Sequence, residues 1–114
     1  MQFLLLIYDQ EKRWTTLSEA EQAADYQEYG AFAKEFEKAI RNGNALQPTA
    51  AGKTVRVRDG KRMVTDGPFA ETKEQLGGYY LVEAKDFDSA TAVAAKIPWA
   101  RHGSIEVRPI MTFS

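Results

Sequence analysis

The chain has 114 residues, enough for one domain and one core, and carries 15 Lys and Arg against 16 Asp and Glu for a formal net charge of −1. A balance this close to neutral supplies no field for nucleic acid or an anionic membrane, so neither is expected as a partner. With no Cys, disulfides, thiolate metal sites and cysteine nucleophiles are excluded.

Phe3 to Tyr8 is apolar at every position. Without a basic leader or small-residue cleavage site it reads as a strand covered on both faces, not as a signal peptide or membrane span, and the cytoplasm is the expected compartment. Ser18, with Glu21 three residues on, has the reciprocal capping pattern of a helix start. Tyr29, Phe32, Ala33, Phe36, Ala39 and Ile40 then recur at helical spacing, which predicts a helix from Glu19 to Arg41 with Asn42-Gly43 as its left-handed stop. Ala45 to Gln47 is a short extended piece ending at Pro48.

Thr54 to Arg58 alternates with period two, Asp59-Gly60 is a hairpin turn, and Arg62 to Thr65 returns, setting Val55 opposite Val64. Tyr79 to Ala84 is the next strand. Asp86 caps a second helix with the stripe Ala90, Val93, Ala94 and Ile97, ended by Pro98. In Ser104 to Ile110, Ile105 and Val107 alternate with Glu106 and Arg108, and Pro109 places the strand's end at an edge or terminus.

The resulting order, β-α-β-hairpin-β-α-β, is an α+β, ferredoxin-like plan. It consists of an antiparallel sheet with two helices on one face plus an inserted β-hairpin, in a single domain spanning residues 1–114. Two helices cover one face only, whereas Phe3 to Tyr8 and Tyr79 to Val82 are apolar on both. A second copy of the chain is the expected cover, giving a homodimer.

The stretch TDGPFAETKEQLGG, Thr65 to Gly78, carries most of the candidate chemistry. Asp66, held by a Gly-Pro turn beside an aromatic ring, is the candidate catalytic base; its other reading is a turn residue bonding backbone N–H groups two residues on. Phe69 is either a ligand platform or a plug in the core or dimer seam. Glu71, Thr72 and Lys73 offer an acid, a hydroxyl and an ammonium to a small polar or anionic ligand, or form a solvated loop. Gly77-Gly78 suits a bulge entering the next strand. Arg108 can hold a carboxylate or phosphate between two sheets, or pair with Glu106 or Glu83. Lys53, Arg56, Arg58, Lys61 and Arg62 make the hairpin basic, to attract an anion or to guard a strand edge. The single histidine, His102, sits in a polar turn without ligand-spaced companions, so neither metal nor cofactor is expected.

The run VTDGPFAETKEQLGGYYLVE (Val64 to Glu83), with MQFLLLIYD at the start, VRVRDGK before it and IEVRPIM near the end, resembles the DGPF branch of the YCII-related family. The resemblance implies a dimeric α/β barrel with two sheets face to face. It also implies relatives encoded beside extracytoplasmic-function sigma factors and a biochemical role that is generally unassigned. Some shorter relatives carry a His early in the first helix, proposed to work with an Asp. Glu21 to Gly30 has none, so a His–Asp mechanism does not transfer. Two functions are expected. The first is a small-molecule-binding barrel doing acid–base chemistry through Asp66, with Arg108 or Lys73, in a cavity between sheet and loop. The alternative is a non-catalytic ligand-sensing or protein-interaction module linked to a sigma factor.

Overall fold

The structure, a computed structural model, describes residues 1–113. Its elements are β1 (Gln2–Asp9), α1 (Glu11–Trp14), α2 (Glu19–Glu35), β2 (Ile40–Ala45), β3 (Lys53–Arg58), β4 (Lys61–Asp66), β5 (Gln75–Glu83), α3 (Phe87–Ala95) and β6 (Ser104–Pro109), with short 3-10 turns at Thr49–Ala51 and Pro98–Arg101. The main sheet has the order β2-β5-β1-β6 with antiparallel pairings, and β3-β4 is a separate two-stranded sheet. This is the expected ferredoxin-like plan with an inserted hairpin.

The period-two alternation of a strand decides which side chains meet the helices. Phe3, Leu5 and Ile7 of β1 and Val82 of β5 face inward and are buried with Phe32 of α2, Ala90, Val93 and Ala94 of α3, and Ile97. Leu4, Leu6 and Tyr8 point to the other face. Their cross-strand neighbours there are Leu81, Tyr79 and Leu76 on β5, and Arg108, Glu106 and Ser104 on β6.

Local chemistry sets most boundaries as the sequence suggests. Ser18 Oγ accepts from the Glu21 N–H at 3.2 Å while the Ser18 N–H donates to Glu21 Oε1 at 3.0 Å. The Asp86 carboxylate accepts from the Ser89 N–H at 2.8 Å. Val55 pairs with Val64 across a turn in which Asp59 and Gly60 both have positive φ, 52° and 72°. Ile7 lies opposite Gly78 and Tyr8 opposite Leu76, which leaves Gly77 as the extra residue of the expected bulge.

Two expectations fail. Helix α2 stops at Glu35 instead of Arg41, because the chain turns back at Phe36, whose carbonyl accepts from the N–H groups of Ala39 and Ile40 at 2.9 Å each. Ile40 to Ala45 then becomes an edge strand on β5, with Ile40 opposite Val82. Sheet pairing takes up the apolar residues that spacing alone assigned to the helix, and Asn42-Gly43 is extended strand, not a left-handed stop. The one-turn helix α1 was not anticipated.

A candidate ligand cavity under helix α2

A cavity of about 580 Å³ opens between α2 and the β2–β5 half of the sheet. Gln22, Asp25, Tyr26 and Tyr29 line its helical wall; three and four residues apart, they form one stripe. Its sheet wall is Ile7, Gly78 and Tyr80, and Trp14 and Trp99 also line it.

The indoles are held by a polar chain that begins in β1. The inward alternation Phe3, Leu5, Ile7 continues to Asp9, a carboxylate in a core position and only 2% exposed. Burial of such a charge requires partners. Arg13 Nε donates to Asp9 Oδ2 at 2.6 Å, Arg13 Nη2 lies 2.5 Å from the same oxygen, and the Gln10 N–H donates to Asp9 Oδ1 at 2.7 Å. The Arg13 guanidinium in turn sits 5.2 Å from the centre of the Trp99 ring, a cation–π distance. Trp99 Nε1 donates to Asp25, at 3.0 Å to Oδ2 and 3.3 Å to Oδ1. Asp9, Arg13, Trp99 and Asp25 thus link the end of β1 to α2.

Two glycines make room for the rings. A Cβ on Gly77 would lie 2.9 Å from Cζ3 of Trp99, and one on Gly43 would lie 2.5 Å from Cδ1 of Tyr80. Trp14 packs against Trp99 with ring centres 5.5 Å apart and planes tilted by 31°, and Tyr29 meets Trp99 edge-on at 6.2 Å. Burial holds the Tyr29 phenol well above its ordinary pKa, and the neighbouring Tyr80 and Asp25 reinforce the shift; burial also raises Tyr80. Both hydroxyls are therefore neutral at physiological pH. Asp25 is the carboxylate among the lining residues. An apolar-walled slot with one acceptor-only group and neutral phenols suits a flat ring bearing a donor that Asp25 can bind or deprotonate.

None of the six residues expected from sequence lines this cavity. Asp66 ends β4 with its side chain 86% exposed; its carboxylate accepts from Lys53 Nζ at 2.6 Å and, among the described residues, caps no backbone N–H. Phe69 is 78% exposed and is not a core plug within this chain. Glu71, Thr72 and Lys73 are exposed beyond it, with Thr72 Oγ1 donating to the Glu74 carbonyl at 2.6 Å. Arg108 lies on the opposite face of the sheet, 3.7 Å from Glu106, the pairing given as its other reading. Asp66 ends the β3–β4 hairpin, Phe69, Glu71, Thr72 and Lys73 follow it in the β4–β5 loop, and Arg108 lies apart on β6. Sequence reasoning missed Asp9, Arg13, Trp14, Asp25, Tyr29 and Trp99. The legible signals were Asp9 at an inward strand position and the 22-25-26-29 spacing on α2.

Among the described residues no three His, Cys, Asp or Glu side chains cluster as a metal site, and no helix is long and apolar enough to cross a membrane.

A ferredoxin-like α+β layer with a ligand-sized slot between helix and sheet defines the class of protein. Residues 1–114 match the YCII-related domain, and the chain belongs to that family. It is 35% identical over 117 residues to an uncharacterized protein of Rhizobium meliloti (strain 1021), covering 99% of this chain and 94% of that protein. Among solved structures it is similar to 5-chloro-2-hydroxyhydroquinone dehydrochlorinase (TftG) from Burkholderia phenoliruptrix AC1100 in complex with 2,5-dihydroxybenzoquinone. The TM-score is 0.56 and the identity 16%, with 97% of this chain and 94% of that chain covered. At that identity the likeness establishes the fold.

Proposed function

We propose that this chain, as a cytoplasmic homodimer of the DGPF branch with its sheets packed as a dimeric α/β barrel, binds a small, flat, oxygen-bearing ring in the cavity under α2, and that Asp25 is the proton acceptor. The observation that carries the reading is the fixed carboxylate: Asp25 lines an aromatic slot and is held by an indole that Arg13 covers from the side. A hydroxyl on the bound ring donates to Asp25, and when the proton moves to the carboxylate the ring is left as a delocalised anion between the aromatic walls. Neutral Tyr29 supplies a hydroxyl there. Asp66, Phe69, Glu71, Thr72, Lys73 and Arg108 enter this reading only where a second copy brings them to a site.

Hydroquinone, a flat ring whose hydroxyls stay protonated at neutral pH, serves as the probe; 2,5-dihydroxybenzoquinone, the ligand of the TftG complex, is a vinylogous acid already ionised there and has no proton to offer Asp25. Calorimetric titration should show saturable binding that Asp25→Asn weakens about tenfold or more, the scale of a lost hydrogen bond to a charged group, with circular dichroism unchanged. Equal affinity in wild type and variant would remove Asp25 from the site, and no binding of hydroxylated rings at all would overturn the reading. A probe recovered unchanged after incubation assigns the cavity to sensing instead of turnover.

A further inference from the structure

The residue before a helix's N-cap and the fourth residue inside the helix commonly meet as an apolar pair that fixes the entering chain. In α2 the first is Leu17, but the second is Gln22. Gln22 Nε2 donates to the Leu17 carbonyl at 3.2 Å, and Leu17, without its apolar partner, lines the cavity. On the sheet side the Leu46 N–H donates to the Gly77 carbonyl at 2.8 Å, carrying the β2–β5 pairing one residue further. Leu46 lines the cavity there and is left 40% exposed. Tyr26, one turn beyond Gln22 on α2, also lines it and is 78% exposed. These three side chains form an apolar shelf that the chain itself leaves uncovered.

Size gives the shelf a task. An apolar cavity of about 150 Å³ is enough to hold benzene, whereas this one measures about 580 Å³. One ring set against Asp25 and the two indoles therefore leaves most of the space unfilled, and a cavity of this volume matches a larger ligand. Charge limits what fills the rest. Among the described residues that line the cavity Asp25 alone is charged, and the nearby Arg13 is already paired with Asp9 at 2.5 Å. An anionic substituent would lose its water beside a carboxylate, with no cation to receive it.

We propose that the ligand is an extended, uncharged aromatic: one hydroxylated ring against Asp25, and a second, apolar ring between Leu17 and Tyr26 on the helix side and Leu46 on the strand side. Asp25 selects for the hydroxyl. Leu17 and Leu46 select for the size of the ring system.

This inference rests on the ring-binding reading above, and its test keeps the two apart. Phenol, 2-naphthol and 6-hydroxy-2-naphthoate would be titrated calorimetrically into wild type and into Leu17→Ala/Leu46→Ala. Each carries a hydroxyl that stays protonated at neutral pH; the second adds an apolar ring, and the third adds a carboxylate to that ring. Wild type should bind 2-naphthol about tenfold or more tighter than phenol, the scale of one further ring edge removed from water, and 6-hydroxy-2-naphthoate about tenfold or more weaker than 2-naphthol. A larger ring partitions better into any apolar site, so the variant decides: the advantage of 2-naphthol over phenol should shrink to about twofold, with phenol binding and circular dichroism unchanged. An undiminished advantage in the variant would remove the shelf from the site. Equal wild-type affinity for phenol and 2-naphthol would overturn the extended ligand while leaving the ring site intact, and naphthoate binding as tight as 2-naphthol would overturn its neutrality. No binding of any of the three would overturn both readings. If the variant does not fold, the Leu17 and Leu46 methyl resonances of wild type decide: signals that shift with 2-naphthol and not with phenol support the placement, and signals that respond equally to both or to neither refute it.

Discussion

Gly77→Ala tests whether the bulge of β5 seats the indole that positions Asp25. The added Cβ would lie 2.9 Å from Cζ3 of Trp99, whereas carbon atoms rest at about 3.5–4.0 Å, so the ring must retreat by roughly 0.6–1.1 Å. Trp14 at 5.5 Å between ring centres, the Arg13 guanidinium at 5.2 Å and the bond to Asp25 at 3.0 Å already surround it. A retreat of that size stretches the N–H···O contact past hydrogen-bonding range. Overpacking costs about 1–3 kcal/mol and the weakened bond to a half-buried carboxylate about 1 kcal/mol. Because Gly77 does not have positive φ, alanine recovers about 0.5–1 kcal/mol of chain entropy. The net loss is about 1–3 kcal/mol, or roughly 4–12 °C in melting temperature for a domain of this size. Thermal unfolding followed by far-ultraviolet circular dichroism reads the loss, and the near-ultraviolet signal of the paired tryptophans reads the displacement. A variant that melts within about 1 °C of wild type with an unaltered near-ultraviolet spectrum would refute the reasoning.

Gly30→Ala, also on an element that lines the cavity, should do the opposite: nothing lies within 4 Å of its Cβ position in α2, so chemical unfolding should show a gain of about 0.5–1 kcal/mol, and a loss would mean that α2 packs there. Asp66→Ala removes a carboxylate whose partner is Lys53, with side chains 86% and 65% exposed; the cost should stay under about 0.5 kcal/mol, and one near 1 kcal/mol in urea melts would restore the turn reading. Tyr29 has its folded pKa raised above an ordinary 10.0, so the neutral phenol's contribution is complete below that value and fades as pH rises past it. The urea midpoint should therefore fall more steeply between about pH 9 and about pH 11 in wild type than in Tyr29→Phe, and parallel falls would show that Tyr29 is not responsible.

What the sequence disclosed follows from the range of each interaction. Capping at Ser18 and Asp86, the Asp59-Gly60 turn and the Gly77 bulge are decided within a few residues, and all four were readable. The end of α2 was not, because Ile40 is claimed by β5, some forty residues away in the chain, and local apolar spacing cannot register that competition. The cavity shows the same limit more sharply. Asp25 and Trp99 are 74 positions apart, so neither attracts notice alone, while the dense Thr65–Gly78 string does. Its side chains from Thr65 to Lys73 are largely exposed, where a lone protomer gives them little to act upon, and only its end, Gly77-Gly78 in β5, reaches the cavity.

The central claim, that a flat oxygenated ring binds under α2 against Asp25, is tested most directly by the indole N–H resonances of Trp14 and Trp99. In a heteronuclear titration of 15N-labelled protein with hydroquinone, both indole signals and the backbone amides of Asp25 and Tyr29 should shift together and saturate at one equivalent per chain. Shifts confined to the amides of Asp66 to Lys73, with both indoles unmoved, would contradict the account and return the site to that stretch.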